Sequence, residues 1–131
     1  MAQLIRLPRY TDFRGSLTVL DNLEELLPFP VRRVFFINAA TDAMRGGHRH
    51  HVTRQAVICI QGECIVSNND GNLLEDYILD NPSKCLLLET YDWHAMHSFT
   101  QNAILLVFAS ECFNPDDYIY EPYKETVNDS V

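Results

Sequence analysis

Positive charge is scarce in this 131-residue chain: ten Lys and Arg stand against eighteen Asp and Glu, and the formal net charge is −8. A surface of that sign repels polyphosphate backbones and anionic bilayers, which argues against general nucleic-acid or membrane-surface binding. A small anionic ligand is still admissible, because a local arginine cluster overrides the global field. No apolar run approaches the ~20 residues of a membrane-spanning helix. Met1 to Pro8 is too short and too polar for a secretory leader. Cys59, Cys64, Cys85 and Cys112 contain no Cys-x-x-Cys pair. Three of these four lie in apolar, strand-like runs, the ordinary setting of buried free thiols. The expected location is therefore the reducing cytoplasm. Repeats, low-complexity tracts and linkers are lacking, and helical periodicity is almost absent.

Apolar residues make up 47% of the chain and charged residues 21%, which suits an ordered globular core rather than disorder. The length fits one domain, residues 1–131. Strands are expected at 3–7, 16–20, 31–37, 55–60, 63–67, 73–79, 85–88, 93–99 and 103–109, separated by turn signals such as Asn69-Asp70-Gly71-Asn72. Phe35-Phe36-Ile37 is apolar on both faces and reads as part of a central strand. Asp21 to Leu27 carries a capping residue and a brief helical pattern ended by Pro28 and Pro30. Residues 116–120 suggest one helical turn or a last short strand, and 124–131 a frayed tail. Many short strands at close intervals indicate an all-β sandwich or barrel.

The densest chemistry lies in Arg45-Gly-Gly-His48-Arg49-His50-His51. His48 and His50 are two apart, so on an extended backbone both rings face one way. His51 faces the other way, and His97 is three from His94; structural packing is the expectation for both. Two chemistries suit His48, His50 and His94. They can bind a transition metal, with Gln55 as a poor, neutral fourth ligand. Alternatively the imidazoles act directly as acid and base, since histidine titrates near neutrality and one ring can accept and return a proton.

His48-x-His50, then four residues, Gln55, six residues and Gly62, resembles the first cupin motif with glutamine in place of glutamate. His94 falls where the second cupin motif has its histidine. A cupin double-stranded β-helix, or jelly roll, is the fold this implies. The resemblance narrows through Asp12-Phe-Arg14-Gly-Ser-Leu-Thr, Pro28-Phe-Pro-Val-Arg-Arg33-Val, Arg45-Gly-Gly-His-Arg-His50, Gln55 to Gly62, Trp93-His94-Ala-Met-His97-Ser-Phe and Asp116-Asp-Tyr118-Ile. Together these resemble the dTDP-4-keto-6-deoxyhexose 3,4-ketoisomerases, small cupins of deoxysugar biosynthesis that feed glycans such as O-antigen.

That resemblance implies an isomerase without metal or organic cofactor, acting on a nucleotide-linked keto-deoxysugar. It also implies a homodimer with exchanged N-terminal strands, about residues 1–20. Catalysis falls to His48 and His50, with His50 the base at C3. Substrate binding falls to Arg45, Arg49, Arg14, Arg33, Phe36, Gln55 and His94. The family carries tyrosines where this chain has Phe35 and Phe36. A metal-dependent small-molecule cupin enzyme and a non-catalytic nucleotide-sugar-binding cupin are the alternatives.

Overall fold

The structure, a computed structural model, describes residues 2–124. The expected frayed tail therefore lies, from residue 125 onward, outside the described residues. Twelve strands occur in order: β1 (Gln3–Arg6), β2 (Arg9–Asp12), β3 (Gly15–Thr18), β4 (Arg33–Asn38), β5 (Arg45–His50), β6 (Gln55–Gln61), β7 (Cys64–Asn69), β8 (Leu74–Leu79), β9 (Lys84–Leu88), β10 (Trp93–His97), β11 (Ile104–Ala109) and β12 (Tyr118–Ile119). One short helix, α1 (Leu23–Leu26), and a 3₁₀ turn, Pro115–Asp117, complete the regular structure. No helix among the described residues is long and apolar enough to cross a membrane.

Two five-stranded antiparallel sheets carry the fold, in the orders β1-β9-β6-β11-β4 and β12-β5-β10-β7-β8. Their inner faces meet in one core. Val57, Leu86, Leu105 and Val107 come from the first sheet, and Cys64, Val66, Leu79 and Met96 from the second. Side chains alternate across a strand, so the neighbours of these residues point the opposite way. On β6 the outward pair Ala56 and Ile58 is buried too, beneath Leu27 and Phe29 of the segment that follows α1. That double burial explains the unbroken apolar run of β6, and each fully buried aliphatic side chain contributes roughly 1.5–3 kcal/mol. The all-β jelly roll expected from the sequence is the architecture observed.

Three local expectations change. Residues 9–12, outside the expected strands, form β2, which pairs with β3 as a hairpin with Phe13 and Arg14 at its tip. Residues 116–120 hold both a 3₁₀ turn and a strand. Strand β4 is not central: it pairs only with β11 among the described residues and closes one edge of its sheet. Arg33, Phe35 and Ile37 face inward, while Val34 and Phe36 are 54% and 65% exposed. Apolar periodicity on both faces requires a cover for both, and this chain supplies one for the inner face only.

The register between β5 and β10 positions the functional face. His94 pairs with His48, and the register then shifts so that Ala95 meets Gly46 and Met96 meets Arg45. Gly47 is the extra residue of this bulge. Strict alternation would point Arg45 away from His48 and His50; the inserted residue re-phases the strand and turns Arg45 to their side. Gly46 and Gly47 adopt φ of +81° and +78°, and a Cβ on Gly46 would lie 2.9 Å from the carbonyl oxygen of His94. Gly46→Ala is accordingly expected to lower stability by roughly 1–3 kcal/mol, the usual range for such backbone strain. A thermal denaturation midpoint equal to the parent's would show that the bulge accommodates a side chain.

Candidate active site

A cavity of about 410 Å³ opens between the sheets at the β5 end, a size suited to a small organic ligand. Phe35 and Ile37 of β4, Gln55 of β6, His94 and Met96 of β10, Tyr118 and Tyr120 line it beside Arg45, Gly46 and His48. His50 lies at its inner wall, 4% exposed. The ring centroids of His48 and His50 are 4.9 Å apart, and those of His48 and His94 5.1 Å.

The hydrogen bonds fix which nitrogen of each buried ring is bare. His50 Nδ1 lies 2.9 Å from Oδ2 of Asp117. An ionised carboxylate only accepts, so Nδ1 carries the proton and Nε2 the lone pair. His94 Nδ1 donates to the backbone carbonyl of Asp92 at 3.0 Å, which again leaves Nε2 as an acceptor. Nε2 of His50, Nε2 of His94 and Oε1 of Gln55 are all buried without a protein partner among the described residues. Leaving buried polar atoms unpaired is costly, so the site is built to receive hydrogen-bond donors or a cation.

Burial keeps the imidazoles neutral. It pushes His48 down to about 4, helped by repulsion from His94. It pushes His94 down to about 4 as well. His50 is also lowered, chiefly by burial, against the opposing pull of its hydrogen bond to Asp117. Burial raises Asp117 in its turn, but hydrogen bonds from Thr53, the Val52 amide and His50 outweigh it and hold the carboxyl below its ordinary value. The Val52 and His51 amides donate to Oδ1 at 2.7 and 3.1 Å, and the Thr53 hydroxyl donates to Oδ2.

Of the residues expected at the site, His48, Arg45, Gln55 and His94 line the cavity and His50 backs it. Arg33 shares the inner face of β4, its guanidinium over the rings of Phe35 and Phe113, near enough to disfavour a charge on His50. Three expectations differ from the geometry within one chain. Phe36 points away because alternation on β4 gives the cavity to Phe35. Arg49 lies on the opposite face of β5 from the histidines and stacks 4.4 Å over Tyr123. Arg14 caps the exposed hairpin and pairs with Asp12 at 2.6 Å.

His97 bonds to Ser67 at 2.7 Å, the structural role expected of it, whereas His51 faces away from His48 and His50 and is exposed rather than packed. Trp93 is half-buried at the rim and donates to the carbonyl of Tyr120 at 3.2 Å. Sequence reasoning gave no role to Asp117, Thr53 or Tyr118. Asp117 is 67 residues from His50, and no local pattern links them; only the pairing of β12 with β5 does so.

Ligand nitrogens of His48, His50 and His94 lie within 4.8 Å of one another. This spacing also suits a transition-metal ion, with the amide of Gln55 where a charge-neutralising carboxylate would help most. As pure organic chemistry, the same arrangement offers a lone pair to a C–H or O–H proton in a partly apolar cavity, with Arg45 at the mouth to meet an anion.

Known proteins resemble this chain along almost its whole length. TDP-4-oxo-6-deoxy-alpha-D-glucose-3,4-oxoisomerase of Aneurinibacillus thermoaerophilus is 31% identical over 128 residues, covering 95% of this chain and 91% of that protein. The crystal structure of the WlaRB TDP-quinovose 3,4-ketoisomerase of Campylobacter jejuni superposes with a TM-score of 0.83 at 33% identity, covering 92% of each chain. QdtA, a sugar 3,4-ketoisomerase of Thermoanaerobacterium thermosaccharolyticum solved in complex with TDP, gives 0.84 at 30% identity, over 92% of this chain and 88% of that one. The family described as FdtA: WxcM-like, C-terminal, matches residues 1–128. With a cupin-type jelly roll, a cluster of neutral imidazoles at its mouth and a family match over nearly every residue, the chain belongs to the FdtA-like family.

Proposed function

We propose that this protein is a nucleotide-sugar 3,4-ketoisomerase of deoxysugar biosynthesis, moving the ketone of a dTDP-4-keto-6-deoxyhexose from C4 to C3. The observation that carries the mechanism is the bare Nε2 of His50, backed by Asp117 on the opposite nitrogen. The C4 carbonyl acidifies the C3 proton, and His50 Nε2 removes it. The C–H pair becomes a C3=C4 double bond, and the imidazolium then returns a proton at C4. Asp117 stabilises the imidazolium that forms in between and keeps the ring in the productive tautomer. His48 serves as second acid–base group or enediolate donor, and His94 and Gln55 accept hydrogen bonds from sugar hydroxyls. Arg45 meets the diphosphate, with Arg33 a further cation behind the site. The relatives named for TDP sugars support the substrate class. Four free thiols, three of them buried, support a cytoplasmic setting.

The wild-type protein, incubated with dTDP-4-keto-6-deoxyglucose in deuterated water, is expected to give the 3-keto sugar by NMR, labelled where protons have exchanged. His50→Asn should leave TDP binding nearly intact while slowing turnover on the order of 10²-fold or more. A base must be neutral, and His50 is depressed below the ordinary imidazole value of about 6.5. The acidic limb of kcat/KM should therefore fall below pH 6.5. Full activity in both His48→Asn and His50→Asn would remove imidazole from the mechanism. TDP binding without any turnover of keto sugars would point instead to a non-catalytic binding cupin.

No metal takes part in this reading, which the neutral fourth group Gln55 supports. Turnover is expected to survive exhaustive chelation. Loss with chelator and recovery with a divalent ion would favour the metal-dependent cupin enzyme.

The same reading includes a homodimer, but β1 pairs with β9 of its own chain, so of residues 1–20 only the β2–β3 hairpin is left to exchange. The β2–β3 hairpin pairs with no other strand among the described residues, and its Tyr10, Phe13 and Leu17 are 64%, 97% and 62% exposed. The outer side of edge strand β4 is equally uncovered at Val34 and Phe36. An exchanged hairpin lying along the partner's β4 covers both apolar surfaces and an open sheet edge. It also gives Arg14 and Phe36 a place in the assembly that neither has within one chain. Sedimentation at micromolar concentration should report a dimer, and Phe36→Glu should shift it to monomer. A monomeric parent protein would end the exchange reading.

A further inference from the structure

Unpartnered acceptors crowd the depth of the cavity. The imidazoles of His48, His50 and His94 are held neutral, and Oε1 of Gln55 adds another acceptor. Moving a ketone to its neighbour also requires a donor. The carbonyl oxygen at C4 must gain a proton as the C3 proton leaves, and the hydroxyl at C3 must lose one as the double bond collapses. Tyr118 and Tyr120 are the cavity-lining side chains with a hydroxyl to give.

Tyr118 is the one seated against the bases. It pairs with His50 across β12 and β5, so the two side chains share a face. Its ring centroid lies 4.6 Å from His48 and 4.8 Å from His50. Tyr120 is 6.1 Å from His48 and stacks behind Tyr118 at 6.0 Å. The preceding residue, Asp117, is anchored through the backbone amides of His51 and Val52, so the strand that carries Tyr118 is fixed to the strand that carries the histidines.

The geometry assigns Tyr118 as the catalytic residue that shuttles the hydroxyl proton between the two neighbouring sugar oxygens. As His50 removes the C3 proton, the carbonyl π pair moves to the C4 oxygen and takes the phenolic proton, giving the enediol and a phenolate. The C3 hydroxyl then hands its proton to the phenolate, its O–H pair forms the new carbonyl, and the double-bond pair takes the proton from the imidazolium at C4. Both groups end as they began, and no redox partner or co-reactant enters. Vicinal oxygens are close enough together for one phenol to serve both.

This assignment rests on the isomerase reading, and the test separates the two. Tyr118→Phe is expected to lower kcat about 10²-fold, the usual weight of a lost acid–base group, with KM and TDP affinity by calorimetry little changed. Site-specific 3-fluorotyrosine at position 118, which acidifies the phenol without removing it, should retain turnover and move the basic limb of the kcat–pH profile downward. Parent-like kcat in Tyr118→Phe overturns the assignment and leaves the isomerase reading intact. So does an unmoved basic limb in the fluorinated protein, which also decides the matter if Tyr118→Phe fails to fold. A parent protein that turns over no keto sugar overturns both.

Discussion

A buried carboxylate holds this site together. Asp117 is 4% exposed and sits at the end of the 3₁₀ turn, far along the chain from everything it binds. Burying an anion is expensive unless hydrogen bonds replace its water. Thr53, the amides of His51 and Val52, and His50 supply them, and all belong to β5 or the turn after it. The rings of Phe113, Tyr118 and Tyr120 help the chain after β11 to dock. The carboxylate gives it a reason to return across the mouth of the barrel, and in doing so it forms β12 and sets the tautomer of His50. Removing that charge would cost the enzyme a wall of its cavity as well as a partner for a ring.

The second constraint is the bulge at Gly46 and Gly47. Two histidines facing one way are an ordinary consequence of strand alternation. An arginine three positions before the first of them is not, since alternation sends it to the other face. One inserted residue with positive φ puts cation and bases on the same side, with β10 pressed closely behind. Scaffold and chemistry meet in a few hydrogen-bonded pairs of residues, and the apolar core beneath serves chiefly to keep those pairs from moving.

Much of this was legible in the sequence. Alternation and turn chemistry located nearly all the strands, and the spacing of His48, His50, Gln55, Gly62 and His94 pointed to the barrel mouth. What periodicity cannot do is name what lies across from a face. Phe35-Phe36-Ile37 reads as doubly buried, yet in one chain only Phe35 and Ile37 find a neighbour. The resemblance placed Phe36 with the substrate, whereas within one chain its predecessor lines the cavity. Arg49 looked adjacent to the site because it is adjacent in the chain, although neighbours along a strand are the residues that never share a face. Asp117 and Tyr118 show no role in the sequence, because their meaning comes from a pairing that spans half the protein.

The excess of bare acceptors in the cavity has a consequence for inhibitor chemistry. If Arg45 meets the diphosphate as proposed, phosphate-rich mimics of a nucleotide would leave the deep part of the pocket unread. The atoms waiting there are two imidazole nitrogens and an amide oxygen, all lone pairs in a place shielded from water. A compound that fills this depth with carbonyls or ethers sets lone pair against lone pair. One that presents hydroxyl or amino hydrogens from a six-membered ring, a cyclitol or an imino sugar joined to a nucleoside diphosphate, satisfies every orphan at once. Selectivity over nucleotide-binding pockets lined with donors would then follow from the sign of the hydrogen bonds alone.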